Sequence, residues 1–183
     1  MASKPTVAIV PGAYHTPVHF DAFISFLNAG GYPTVSKQLP SVDAATPTIL
    51  PAREILTSLL TKSLRPSWML AKTLSSLHTH MVVVQQAERI AAGKKGGIIG
   101  LIWATAFITP TNTSLRTLVG GKFKPWVEID VFYNDVPDAI ANVAIGEVKK
   151  MSLTALSTGT PAPGWANPRY QGRLAYFRTA LDN

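Results

Sequence analysis

The residues best suited to chemistry form a short turn near the N-terminus, Val10-Pro11-Gly12-Ala13-Tyr14-His15. The apolar run at residues 7–10 has the β-branched bias of a core strand. Pro11 and Gly12 end that run, and Gly12 has no Cβ, so the backbone can bend there and approach a ligand closely. The pattern therefore predicts a substrate-facing turn at the end of a buried strand.

A metal site is the other chemistry that the histidines suggest. His78 and His80 stand two apart and could chelate a metal from one face of a strand. No third ligand with useful spacing follows, since His15 and His19 belong to the opening turn and its helix. We therefore predict no metal and no cofactor.

The elements around the turn predict the start of a parallel sheet. Thr16-Pro17 has the pattern of an N-cap followed by proline at the first helical position. Gly30-Gly31 ends that helix, and a second strand begins at residues 32–35. A β–turn–α–β unit of this length is typical of a doubly wound α/β fold. The predicted apolar face of the helix, at spacings of three and four, consists of Phe20, Phe23, Ile24 and Leu27.

The second half of the chain continues the α/β pattern. The apolar run at residues 96–107 predicts a parallel strand buried on both faces. Residues 109–114 form a loop that caps a helix beginning near Leu115. Residues 120–133 are predicted to form a lid over the site, and Asp135 is predicted to be the N-cap of a cap helix.

Length and composition indicate a single domain, residues 1–183, with room for a core. No run of 18 apolar residues is present, so we predict no membrane span. The chain has no cysteine, which excludes disulfides and cysteine metal clusters. No signal-peptide pattern precedes the first strand, so a cytoplasmic location is the default expectation.

The net charge of +7 does not mark a nucleic-acid surface. Residues 55–127 contain nine basic residues and one acidic residue, so the rest of the chain is close to neutral. Within that segment the basic residues are scattered among Ser, Thr and Leu, without a helical stripe or interleaved aromatic residues. We therefore predict no nucleic-acid partner.

Five sequence blocks together resemble the alpha/beta-hydrolase superfamily, in its small single-domain esterase-like branch. The opening turn stands where that family carries its oxyanion turn, commonly H-G-A or P-G-A-W-H. The resemblance implies a mostly parallel, doubly wound sheet with a small helical cap, and an oxyanion and substrate pocket at Gly12, Ala13, Tyr14 and His15. The blocks are residues 10–15, 30–35, 39–41, 95–101 and 106–110.

The nucleophile that the resemblance implies is missing. An alpha/beta hydrolase carries it on a tight turn, G-x-S-x-G or a relative such as H-S-Y-G-G, between a buried strand and a helix. Ser75 and Ser76 lack flanking glycines, and Ser114 and Ser152 stand in unrelated contexts. Residues 62–86 are also expected to lack the apolar strand that must occupy the centre of the sheet.

A displaced reading frame accounts for this gap. Read one nucleotide earlier, the codons of residues 68–77 can encode V-D-A-G-K-D-V-V-V-V, and an H-S-Y-G-G turn can follow. The glycine read across Met81 and Val82 is forced, because the Met81 codon ends in G and valine codons begin with GT. We infer that residues from about 64 to 87 are encoded in a shifted frame.

The C-terminal part of the chain lacks the catalytic base. Residues 172–178 resemble the late strand after which the family places its acid, and Asp182 is the best match to that acid. The family's catalytic histidine lies further on, and no histidine follows His80. The chain is therefore expected to be an incomplete alpha/beta-hydrolase core.

The resemblance implies an ester or acyl hydrolase, and the missing nucleophile and base predict a pseudoenzyme that is inactive as written. Two alternatives remain open. The chain could be a non-catalytic module that binds a small apolar carbonyl or ester ligand through the oxyanion pocket and cap. It could also be a partner subunit that self-associates through an exposed apolar face.

Overall fold

The computed structural model describes most of the sheet and the helices around it. The described residues are 4–39, 41–43, 86–94, 96–121, 133, 135–160 and 162–178, with the backbone of 66–72. The strands are β1 (Thr6–Val10), β2 (Thr34–Ser36), β3 (Pro66–Lys72), β4 (Gly97–Ala104) and β5 (Leu174–Phe177). The helices are α1 (Asp21–Ala29), α2 (described over 86–91), α3 (Leu115–Leu118), α4 (Asp138–Gly146) and α5 (Leu153–Ser157), with short 3-10 helices at Pro17–Phe20, Gly164–Ala166 and Pro168–Tyr170.

The five strands form one parallel sheet in the order β2-β1-β3-β4-β5. Val10 at the end of β1 is level with Ala71 of β3, and Lys72 of β3 is level with Ala104 of β4. The carboxyl ends of the three central strands therefore meet at one edge. This architecture confirms the predicted α/β fold class with a mostly parallel sheet.

The expectation that residues 62–86 lack a central strand is wrong for Pro66–Lys72. This segment is β3, and it pairs with β1 along one side and with β4 along the other. Residues 68–71, Trp-Met-Leu-Ala, are four consecutive apolar residues, which suffice for a strand flanked on both sides by others. The Ser, Thr, Lys and His content on which the expectation relied lies mostly outside this short run.

The core lies on both faces of the sheet. On one face Val7 and Ile9 of β1 pack with Phe20 and, partly buried, with Ile24 and Leu27 of α1. Phe23 of the predicted apolar face is 40% exposed, so that face is only partly covered. The opposite face holds the larger cluster, formed by Val10, Leu39, Val42, Ile98, Leu101, Trp103, Ala106 and Tyr170.

Several local predictions are confirmed. Thr16 is the N-cap of the 3-10 helix that leads into α1, with proline in its first turn. Gly30 caps the end of α1, and Gly31 follows with a positive φ of 78°. Ser114 caps α3 by accepting a hydrogen bond from the Thr117 amide at 3.1 Å. Strand β4 is largely buried, as its apolar run predicts.

The cap region differs from the prediction at its start. Helix α4 begins at Asp138, and its N-cap is Pro137 rather than Asp135. Proline disfavours helical geometry in the residue before it, so Val136 cannot be helical and the helix starts after Pro137. Of the predicted lid, residues 122–132 lie outside the described residues. Among the described helices, none is long and apolar enough to cross a membrane.

Candidate functional site

The sheet order changes direction between β1 and β3. The chain passes from β1 outward to β2, whereas β3, β4 and β5 follow one another in the opposite direction. In open α/β sheets, ligands bind beyond the carboxyl ends of the strands where this direction reverses. The turn that follows Val10 therefore stands at the position where the topology favours a ligand site.

The turn itself is a tight four-residue turn, Gly12 to His15. The His15 amide donates to the Gly12 carbonyl at 3.2 Å, and Tyr14 has a positive φ of 66°. Ala13 is 6% exposed. The prediction that Gly12 and Ala13 form a turn at the end of the first strand is confirmed, but Tyr14 rather than Gly12 adopts the left-handed conformation. Within the part of the chain that the structure describes, no backbone hydrogen bond uses the Ala13 amide as a donor.

A second left-handed residue lies at the same edge of the sheet. Thr105 directly follows β4 and has a φ of 46°, which is rare for a β-branched residue. Its amide donates to the Phe177 carbonyl of β5 at 2.9 Å. Tyr14 and Thr105 therefore flank the carboxyl end of β3, and backbone strain of this kind concentrates at functional sites. No signal in the sequence points to Thr105.

The cap segment is hydrogen-bonded to the turn at two points and to the 3-10 helix after it at a third. The Lys149 amide, just after α4, donates to the Tyr14 carbonyl at 2.9 Å. The Tyr133 hydroxyl lies 3.2 Å from His15 Nε2. His19 Nε2 donates to the Ala144 carbonyl of α4 at 2.9 Å. Sequence reasoning placed His15 and His19 at the turn but missed these partners, because the partners are more than a hundred residues away.

The wall beside the turn is apolar. Ala13 packs with Leu115 of α3 and Leu156 of α5 in one buried cluster. Burial raises the pKa values of the Tyr14 and Tyr133 hydroxyls above the ordinary value for tyrosine, so both stay neutral at physiological pH. The buried cluster therefore supports the turn from behind, and the neutral hydroxyls of Tyr14 and Tyr133 lie beside it. Its partly buried members are Tyr14, Phe107, Val119 and Met151.

The other candidate residues do not join this cluster. Ser114 and Ser152 act as helix N-caps, which agrees with their unrelated sequence contexts. Three further sets of candidates lie outside the described residues: Ser75 with Ser76, His78 with His80, and Asp182. In the part of the chain that the structure describes, no group of three or more His, Cys, Asp or Glu residues could hold a metal ion.

The arrangement of strands matches solved structures over nearly the whole chain. A crystal structure of the pyrethroid hydrolase PytH has a TM-score of 0.63 and 16% identity, covering 96% of this chain and 78% of the other. An extracellular alpha/beta-hydrolase from a Paenibacillus species has a TM-score of 0.61 and 14% identity, covering 94% and 76%. The chain has the alpha/beta-hydrolase fold.

Sequence similarity points the same way. The chain is 23% identical over 185 aligned positions to the alpha/beta hydrolase nvfD of Aspergillus novofumigatus, covering 88% of this chain and 73% of that protein. No protein-family model matches the chain. The resemblance drawn from the five sequence blocks is thus confirmed at the level of the fold, and the chain is similar in sequence to an alpha/beta hydrolase. The roles of Gly12, Ala13, Tyr14 and His15 in an oxyanion pocket stay predictions.

Proposed function

We propose that this alpha/beta-hydrolase homologue binds a small apolar carbonyl or ester compound at the carboxyl end of β1. The observation that carries the proposal is the turn at Gly12–His15, which stands at the reversal point of the sheet beside an apolar wall. Backbone amides at such a turn suit a carbonyl oxygen, because they offer fixed donors in a place that excludes water. The alpha/beta-hydrolase relatives, a pyrethroid hydrolase among them, support an ester or acyl group.

We further propose that the chain as written does not hydrolyse this ligand. Hydrolysis by a triad needs a nucleophile, a histidine base and an orienting acid together. His15 Nδ1 lies 2.6 Å from the Ala13 carbonyl oxygen and His19 Nε2 lies 2.9 Å from the Ala144 carbonyl oxygen, so a backbone carbonyl stands where a triad base has its orienting acid. The sequence contains no histidine after His80 and no serine on a glycine-flanked turn.

A single probe tests both statements. With 4-nitrophenyl butyrate, we expect saturable binding by saturation-transfer NMR and no release of 4-nitrophenol above the buffer rate. The variant Ala13→Pro should abolish binding, because proline removes the Ala13 amide hydrogen. The second position of such a turn accepts proline, so the fold should persist. Ala13→Gly, which keeps the amide, is the matched control.

Two outcomes would contradict the proposal. Equal binding by wild type and Ala13→Pro would show that the turn amide does not contact the ligand. Turnover that survives purification and disappears on changing one serine to alanine would reveal a nucleophile, and would establish an active enzyme.

Self-association is a second candidate function, and the exposure of β5 favours it. All four residues of this edge strand are exposed, and Phe177 is 62% exposed. An exposed apolar edge strand is a template for pairing with another strand. We propose a second copy of the chain as the occupant. Antiparallel pairing centred on Ala175 would set Arg173 opposite Phe177 of the other copy, so that like charges do not meet and a cation faces an aromatic ring.

Sedimentation at rising protein concentration tests this second candidate. A mass that increases with concentration, and returns to that of one chain in Leu174→Pro, would support pairing through β5, because the Leu174 amide faces away from β4. A constant mass of one chain across the concentration range would exclude it.

A further inference from the structure

The imidazole of His15 holds the turn from inside. The side chain is 7% exposed, and its Nδ1 lies 2.6 Å from the Ala13 carbonyl oxygen. A carbonyl oxygen only accepts hydrogen bonds, so Nδ1 carries the proton. The backbone amide of His15 donates to the Gly12 carbonyl at 3.2 Å. One residue thus binds two successive carbonyl groups of the turn.

These two bonds determine where the amides of the turn point. In a planar trans peptide the C=O and N–H groups point in opposite directions. Holding the Gly12 carbonyl toward His15 directs the Ala13 N–H away from it, and holding the Ala13 carbonyl does the same for the Tyr14 N–H. The left-handed conformation of Tyr14 is unfavourable for a residue that has a Cβ, and these hydrogen bonds help to offset its cost.

The second nitrogen of His15 faces the cap. With the proton on Nδ1, Nε2 is an acceptor, and it receives the hydrogen bond of the Tyr133 hydroxyl at 3.2 Å. His19 lies edge-on to His15, with ring centroids 4.7 Å apart, and has the opposite tautomer. Its Nδ1 accepts from the Thr16 amide at 3.1 Å, and its Nε2 donates to the Ala144 carbonyl. His19 therefore binds the cap without binding either carbonyl of Gly12 or Ala13.

We propose that His15 is a positioning residue, which sets the direction of the Ala13 and Tyr14 amides and links them to Tyr133 of the cap. The consequence for ligand binding rests on the function proposed above. The geometry of the turn does not, so the two can be tested separately.

The first measurement is the 15N spectrum of the histidine rings in the wild-type chain, since protonated and unprotonated ring nitrogens differ widely in chemical shift. We expect His15 to carry its proton on Nδ1 and His19 on Nε2. A proton on Nε2 of neutral His15 would overturn the proposal. This measurement needs no variant and no ligand, so it tests the proposed tautomer of His15 even if a substituted chain fails to fold.

Matched substitutions then distinguish the role of His15 Nδ1 from that of His15 Nε2. His15→Asn keeps a donor near the position of Nδ1, whereas His15→Gln keeps only a group near the position of Nε2. We expect His15→Gln to move the Ala13 carbonyl and Tyr14 amide signals far more than His15→Asn does. His19→Gln, which removes the bond from the Thr16 amide to Nδ1 but touches neither the Gly12 nor the Ala13 carbonyl, is the control. Equal shifts in His15→Gln and His19→Gln would overturn the proposal.

Ligand binding is the last arm. His15→Gln should weaken binding of 4-nitrophenyl butyrate about tenfold, the effect of one misdirected hydrogen bond, whereas His15→Asn should stay within about twofold. Equal affinity in both variants would contradict the proposed positioning. If the wild-type chain binds no probe, the proposed function fails, and the ring and backbone signals still decide the role of His15.

Discussion

Strand β1 with its turn and strand β3 lie side by side in the sheet, yet they differ in how far their sequences determine them. Residues 7–10 are apolar, and the turn after them is held by Lys149, His15 and Tyr133. β3 has a short apolar run, and both of its edges are covered by neighbouring strands. The comparison shows that a strand in the middle of a sheet needs little sequence signal of its own, because its neighbours supply the backbone partners.

The largest expected effect comes from repairing the β3 region and the C-terminus together. On the hypothesis of a displaced frame, the shifted reading of codons 64–87 would supply a nucleophile turn, and an added family-like C-terminal segment would supply the acid geometry and the base. Hydrolysis of 4-nitrophenyl butyrate should rise at least about a thousandfold only in the doubly repaired chain, because triad residues act as a unit.

Full activity from either single repair would show that the triad assignment is wrong. Activity after the C-terminal repair alone would also mean that the present β3 region already contains a nucleophile.

Proline tests the two kinds of strand directly. Leu70→Pro removes a backbone donor in β3 and should lower the free energy of unfolding by about 3 kcal/mol or more, since β3 pairs on both sides. Tyr176→Pro in the edge strand β5 should cost less, and urea unfolding measures both. Equal losses would mean that the central position of β3 confers no special stability.

Relief of backbone strain at Thr105 should have a smaller effect on the free energy of unfolding. Thr105→Asn should stabilise the protein by up to about 1 kcal/mol, because asparagine tolerates a positive φ better than a β-branched residue. Thr154→Asn, within α5, is the control and should give no gain. A loss of stability in Thr105→Asn would show that the contacts of the threonine side chain outweigh the backbone strain.

The smallest effect is expected at alkaline pH. Burial raises the pKa values of Tyr14, Tyr133 and Tyr170, the last against the opposing influence of Arg169. A raised folded-state pKa means that the stabilisation is complete below the unfolded value of about 10 and is lost as pH rises through the folded value. Tyr133→Phe should reduce this alkaline loss in thermal unfolding scans, and an unchanged pH dependence would count against burial of its hydroxyl.

Much of the local structure could be predicted from the sequence. The turn after β1, the caps at Thr16 and Ser114, the end of α1 at Gly30 and the buried run of β4 all follow from residue type and spacing. The start of α4 could have been predicted too, since Pro137 determines it. The central strand could not, because four apolar residues in a polar stretch carry no periodicity that separates a strand from a loop.

The sequence by itself determined the α/β fold class and the position of the turn, because short-range features such as apolar runs, glycines and prolines decide local structure. Only the tertiary structure decided that Tyr14 is the left-handed residue, that β3 lies at the centre and that His15 and His19 bind the cap. The physical reason is distance along the chain. Hydrogen bonds across more than a hundred residues depend on how the elements pack, and no local pattern records that packing.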